Sequence, residues 1–190
     1  MQTAEKIYAM LGTENLWQAA VQCHRILADA EISHTICDGV AVCLHGYQRN
    51  TANLDLIIEP DRAADVRPLL EEAGLLWDSA AKEFRTNGGV AVQFLMTGDR
   101  AGSDSEVRIP IPTGELNVEV IEVLPVLRLS RLIEVKIACG LGSLRRTHKD
   151  FADVVELIAM RHLDGSFARH LHKSARSTFR KLVRNAQGAT

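Results

Sequence analysis

Six consecutive residues, Asn53, Leu54, Asp55, Leu56, Ile57 and Ile58, can do little except extend, and they set terms for everything around them. Apolar and β-branched side chains favour a strand here. Glu59-Pro60-Asp61 ends it, because proline cannot donate to a ladder. Side chains alternate along a strand with a rise of about 3.3 Å per residue. Asn53 and Asp55 therefore share one face, roughly 7 Å apart, while Leu54, Leu56 and Ile58 share the other. Just upstream, Ser33 to Cys37 reads as a short strand, Gly39 to His45 as a short helix, and the residues up to Ala52 as a polar loop.

The remaining chain supplies elements to pack around this unit. Thr13-Glu14-Asn15-Leu16 is a helix start, and Leu16, Ala19, Ala20, Cys23, Ile26 and Leu27 recur at helical spacing up to about Glu31. Ala63 to Ala73 forms a helix with Val66, Leu69 and Leu70 inward, closed by Gly74. Lys82–Thr86 and Val90–Thr97 flank Asn87-Gly88-Gly89, a hairpin signal. A polar loop covers 98–106, one or two strands cover Leu116 to Val123, and helices cover 129–138, 149–160 and about 167–184, with a connector at 139–148. Helix, strand, short helix, strand, helix, hairpin, strand and further helices make an α/β (α+β) sandwich: a small mixed sheet flanked by helices, with a helical C-terminal part. The expected division is an α/β core over 1–124 and a helical region over 125–190 packed on it.

Composition narrows the class. With 190 residues, 46% hydrophobic and 24% charged, the chain can bury a proper core. No apolar run reaches the length of a membrane span, and the N-terminus lacks a signal-peptide pattern. Cys23, Cys37, Cys43 and Cys139 show no C-x-x-C spacing, which reads as free thiols in a reducing cytoplasm. Residues 161–190 hold seven Lys/Arg against one acid, a net +6, while the first 160 carry a net −8. Such a split marks either a nucleic-acid-binding tail or a tail docked on its own acidic body.

The polar face of the strand invites phosphate chemistry. Two carboxylates at positions 53 and 55 would straddle a pair of magnesium ions completed by phosphate oxygens and water. Gly39 at a helix start presents backbone N–H groups to an anion or simply serves a tight turn. Arg49 and Thr51 offer a bidentate donor and a hydroxyl. These parts suit transfer of a phosphoryl or nucleotidyl group.

The segment resembles the signature of the nucleotidyltransferase-fold superfamily, especially its minimal and AbiEii-like branches. Those proteins read Gly-Gly-x-Ala, then His-Gly-x-x-Arg-x-Thr-x-Asp-hydrophobic-Asp, with a third carboxylate on a later strand. Here Asp38-Gly39-Val40-Ala41 takes the first part and His45-Gly46-Tyr47-Gln48-Arg49-Asn50-Thr51 the second. Asn53-Leu54-Asp55 stands at the paired carboxylates, and Gln93 stands at the third. Leu132 to Ala138, with Lys136, and Arg145 to Ile158 resemble the family's Leu-Ile-x-x-Lys helix and its Arg-x-Lys-Asp-x-x-Asp-x-x-Glu-Leu segment. The matched pieces lie between residues 36 and 158.

The departures share one chemistry: Asn53 and Gln93 keep a carbonyl oxygen and lose the negative charge. One carboxylate, Asp55, is a poor holder of two repelling ions. Asp38, Glu59, Glu119 and Glu122 are the acids available to substitute. The resemblance implies a nucleotide- or phosphate-binding cleft with a degenerate metal site, Asp55 its main ligand and catalytic candidate, and magnesium weak or absent. Gly39, His45, Gly46, Arg49, Thr51 and Lys136 are the candidate nucleotide or phosphate contacts. His45 reads equally as a hydrogen-bonder at a helix end, and Lys136 as a chain that snorkels to solvent. Three functions follow as expectations. One is a catalytically impaired regulatory or toxin–antitoxin-type component with a protein partner or a second copy. Another is an active enzyme moving NMP from a nucleoside triphosphate to a hydroxyl. The third is a nucleic-acid module using Lys173, Arg176, Arg180 and Arg184, whose helix packs through Leu171, Ala175, Phe179 and Leu182.

Overall fold

The computed structural model describes Thr3, Lys6, Tyr8 and residues 14–188. Helix α1 (Glu14–Asp29) buries Leu16, Ala19, Ala20, Cys23 and Leu27 and packs on the sheet; the expected start at Thr13 lies outside the described residues. Strand β1 (His34–Cys37) runs without a gap into helix α2 (Asp38–Leu44). Strand β2 (Asn53–Ile58) occupies the span the alternation predicts. A 3-10 turn (Pro60–Arg62) then leads into helix α3 (Ala63–Glu72), closed by Gly74 at φ 89°.

Strands β3 (Leu76–Asp78), β4 (Glu83–Arg85), β5 (Ala91–Met96), β6 (Val118–Ile121) and β7 (Leu124–Leu127) complete a seven-stranded sheet in the order β3-β4-β5-β2-β1-β7-β6. The sheet is mixed: β2 with β5 and β1 with β7 are parallel, and the other pairs are antiparallel. Strand β7 pairs with β1 inside the sheet, so residues on both sides of position 124 share one core. Leu54, Leu56 and Ile58 are fully buried, each contributing about 1.5–3 kcal/mol. Asn53 and Asp55, on the other face, stay partly open.

Helix α4 (Leu129–Gly142), helix α5 (Leu144–Met160), a 3-10 turn (Gly165–His170) and helix α6 (Lys173–Gln187) form the rest. The expected connector at 139–148 is instead helix, broken only at Ser143, whose backbone is extended. Its glycines admit neighbours rather than ending the helix. A Cβ on Gly140 would strike the Phe151 ring, and one on Gly142 would lie 2.6 Å from the Ser103 amide. The final helix also differs from expectation, splitting at Leu171-His172. Leu171 is buried, the Glu134 carboxylate accepts the His172 amide, and the His172 ring caps α6 by accepting from Ser174. The loop 98–106 is not wholly solvated: Ala101 is buried and its carbonyl accepts the Cys139 thiol at 2.6 Å.

Candidate functional site

Strand pairing aligns the polar face into a row. Cys37 on β1, Asp55 on β2 and Gln93 on β5 stand side by side. Next to them, Gln93 Nε2 donates to Glu83 Oε2 at 2.7 Å. Glu83 is buried and its other oxygen meets Arg85. The amide at position 93 is thus fixed by a carboxylate behind it. A carboxylate in its place would face Glu83 with like charge.

A second layer comes from the helices. Lys136 on α4 is 2% exposed, yet its Nζ touches three carboxylates: Asp38 Oδ1 at 2.5 Å, Asp153 Oδ2 at 2.7 Å and Asp150 Oδ1 at 3.1 Å. Arg49 grips Asp153 with both forks, at 2.6 and 2.9 Å. Arg146 bridges Asp150 at 3.0 Å and Asp38 at 2.9 Å. Three cations and three carboxylates therefore close a neutral lattice, the arrangement that buried charge requires. Burial alone would raise the Asp38 pKa, but Lys136, with Lys149 and Arg146 beyond it, outweighs burial and holds it at about 2. Burial would likewise lower the Lys136 pKa, and Asp38, Asp153 and Asp150 raise it instead.

Asp55 has none of this support. Among the described residues its carboxylate has no hydrogen-bond or ion-pair partner. Burial, reinforced by the nearby charge of Asp38, pushes its pKa up to about 6 against the weaker pull of Lys149, Arg146 and Lys136. It lies at the junction of two compartments. An outer, ionic one of about 320 Å³ is lined by Arg49, Thr51, Asn53, Arg146 and Lys149. An inner one of about 260 Å³ is bounded by Ile57, Leu95, Ile109, Leu132 and Val135. Asp38, Asp55, Gln93 and Arg146 border both.

The structure brings Asn53, Asp55, Gln93, Arg49 and Thr51 together at this cleft, with Lys136 beneath it. Gly39 is held under Thr51: a Cβ there would overlap the Thr51 side chain, so the hydroxyl rests on the start of α2. His45 is buried, and its Nε2 lies 2.8 Å from the Leu127 carbonyl, which ties α2 to β7 rather than facing the cleft. Burial, more than that bond, sets its pKa, which is lowered. Gly46 takes φ 117° and ends α2, with its amide on Cys43 and that of Tyr47 on Val42. Glu119 and Glu122 lie on and beside β6 at the far edge of the sheet. Asp150 and Asp153, which the sequence offers only within the Arg145–Ile158 segment, anchor Lys136 and Arg49 here. Their i,i+3 spacing, which puts both on one helix face, was the available signal. Glu83 gave no signal at all.

Oxygens of Asp38, Asp150 and Asp153 lie within 4.8 Å of one another, close enough for a cation. The Lys136 ammonium already fills that role. Among the described residues a two-ion centre does not fit the remaining donors of the cleft, which are the free carboxylate of Asp55 and the amides of Asn53 and Gln93. A single magnesium shared with substrate phosphates needs no more than one or two carboxylates. The exposed cations Lys149 and Arg146 stand over the same cleft.

No family model matches the chain, and no curated protein matches its sequence. Solved structures do. A candidate nucleotidyltransferase from Helicobacter pylori superposes with a TM-score of 0.52 at 18% identity, over 94% of this chain and 81% of that one. JHP933 from Helicobacter pylori gives 0.50 at 15%, over 98% and 92%. A candidate nucleotidyltransferase from Thermotoga maritima gives 0.50 at 14%, over 70% and 88%. The fold is therefore nucleotidyltransferase-like: a seven-stranded mixed sheet flanked by helices. Among the described residues no helix is long and apolar enough to cross a membrane.

Proposed function

We propose that this chain binds the phosphates of a nucleotide in the ionic compartment and that its metal centre is degenerate, making it a pseudoenzyme of the minimal or AbiEii-like type. A regulatory or toxin–antitoxin-type role follows from that reading. One observation carries it: among the described residues Asp55 is the cleft carboxylate with no ion-pair partner, while Asp38, Asp150 and Asp153 are engaged by Lys136, Arg49 and Arg146. Phosphates would meet Lys149 and Arg146 first, with the Thr51 hydroxyl nearby. A magnesium ion, if carried in with the nucleotide, would rest on Asp55 and the carbonyl oxygens of Asn53 and Gln93 and would offset phosphate charge. Lys136, paired with three carboxylates, holds the cleft walls together in this reading and does not reach the ligand.

Calorimetric titration with Mg-ATP and Mg-CTP tests this in wild type, Asp55→Ala and Asn53→Asp/Gln93→Asp. Wild type should bind with little dependence on magnesium and without turnover, and the restored variant should gain magnesium dependence. Magnesium-dependent turnover in wild type that disappears in Asp55→Ala would instead establish the active transferase. Absence of binding in every variant would remove the nucleotide reading altogether.

A further inference from the structure

The elbow between α4 and α5 carries an exposed strip that the cleft does not absorb. Leu144 is 91% exposed, and Leu141, on the last turn of α4, is 60% exposed. At about 100° per residue, Leu144, His148, Arg145 and Lys149 fall within an arc of roughly 140° on α5, and all four face solvent. Among the described residues Arg145, His148 and Lys149 have no hydrogen-bond or ion-pair partner. The first acid on that arc, Glu156, lies about two turns beyond Lys149.

The sign of charge reverses on the other side of the elbow. There Leu141 borders a cavity of about 320 Å³ that also meets Asp104 and Glu106, both exposed. Its floor is apolar, since Val107, Ile137 and Ala175 are buried. The two hydroxyls in its wall are engaged, Ser105 Oγ by the Val107 amide and Ser174 Oγ by the His172 ring. Asp104 has no ion-pair partner among the described residues. Glu106 meets Lys173 at 3.5 Å with both side chains open to solvent, a contact that water screens.

We infer that this elbow docks a segment of a partner protein presenting a basic side chain, then aliphatic ones, then acidic ones. The basic side chain lays its methylene stem on the cavity floor and its head group against Asp104 and Glu106. The aliphatic residues cover Leu141 and Leu144, and the acids meet Arg145 and Lys149 beside His148. Leu144 to Lys149 spans about 7.5 Å of helix axis, which two or three extended partner residues cover. A nucleic acid is the first rival, and the change of sign argues against it. A uniform polyanion laid on Arg145 and Lys149 reaches Asp104 and Glu106 with like charge and leaves both leucines uncovered. An anionic membrane meets the same repulsion at the acidic end. The inference goes beyond the nucleotide reading and does not depend on it, because Lys149 alone of these residues borders the cleft.

The test is a titration of the full chain with the end-capped peptide Lys-Lys-Leu-Leu-Glu-Glu, followed through the methyl resonances of Val107, Ile137, Leu141 and Leu144. Saturable shifts confined to these methyls are expected. Leu144→Ser, or serines in place of the peptide's leucines, should weaken binding about tenfold. Arg145→Glu and Glu106→Lys should each weaken it about threefold. The three substituted positions are exposed, so the variants keep the fold. Glu-Glu-Leu-Leu-Glu-Glu, an oligouridylate and phosphatidylserine vesicles are the rival probes and should bind less tightly. No saturable shift in wild type, binding unchanged in Leu144→Ser, or tighter binding of any rival probe would overturn the inference. So would self-association in sedimentation that Leu144→Ser removes, since the face would then belong to a second copy. Mg-ATP binding is read separately by calorimetry, so failure here leaves the nucleotide reading standing.

Discussion

Asp38 and Asp55 are neighbours across two paired strands, since Cys37, which precedes Asp38, pairs with Asp55. Their surroundings are opposite. Asp38 leaves the sheet for the start of α2 and meets Lys136 and Arg146, which hold its pKa at about 2. Asp55 stays on the strand, pairs with no cation among the described residues, and is pushed by burial to about 6. The sheet places both carboxylates, but cations borne on helices and on the loop after α2 decide which is neutralised. A buried carboxylate left alone is costly, and one locked to a lysine and an arginine is not.

The sharpest way to break this contrast is to remove the central ammonium. Lys136→Met leaves Asp38, Asp150 and Asp153 facing one another and should cost about 3–5 kcal/mol at pH 7 by urea unfolding. An unchanged midpoint would show that the lattice does not hold the cleft.

Smaller, and opposite in sign, is the effect at Asp55. Its folded pKa, about 6, is above the ordinary 3.8, so the folded state binds the proton more tightly. The penalty is absent below the unfolded value, grows between 3.8 and about 6, and is complete above that range. Asp55→Asn should therefore stabilise the protein by about 2–3 kcal/mol at pH 8 and hardly at pH 4. Asp38 runs the other way, because its depressed pKa gives stability that is full above 3.8 and lost as pH falls toward about 2. Unfolding curves for Asp38→Asn and Asp55→Asn across pH 2–8 should therefore diverge in opposite directions from wild type.

Gln93→Asp sharpens the sheet side of the comparison. It removes the donor to Glu83 and sets two carboxylates together, for an expected loss of about 1–3 kcal/mol. Added magnesium should recover part of that loss if the row can hold an ion. The smallest effect belongs to the basic face of α6. Lys173 pairs with Glu106 at 3.5 Å and Arg176 donates to the Leu171 carbonyl, whereas Arg180 and Arg184 are exposed. Arg180→Gln and Arg184→Gln should change stability by less than about 0.5 kcal/mol. A steep, salt-sensitive loss of nucleic-acid affinity in the same variants would assign that face a partner.

Much of the fold was legible because its signals are local. Strand β2 follows from six residues and a proline stop, the hairpin from Asn87-Gly88-Gly89, and the end of α3 from Gly74, which takes φ 89°. The connector expected at 139–148 is helix instead, and its glycines at 140 and 142 make room for Phe151 and the 102–103 backbone. The site was half legible. That Asn53 and Asp55 share a face follows from strand alternation and Gln93 enters through the resemblance, but the engagement of Arg49 with Asp153 follows from neither, because a loop arginine before a threonine looks free for phosphate. What claims it is a helix packed from the other end of the sequence, and no local pattern encodes that.

The Arg49–Asp153 pair spans 104 residues, Lys136–Asp38 spans 98 and Arg146–Asp38 spans 108. Closing loops of that length carries an entropic cost, and folds rich in such distant contacts form more slowly. During synthesis the strand bearing Asp55 leaves the ribosome long before α5 exists, so the nascent sheet face waits for the lattice that will wall it. A chain cut before residue 150 can contain the motif from Asp38 to Asp55 and still have no cleft. The site thus draws on residues about a hundred positions apart, although its signature lies in the first of the two stretches.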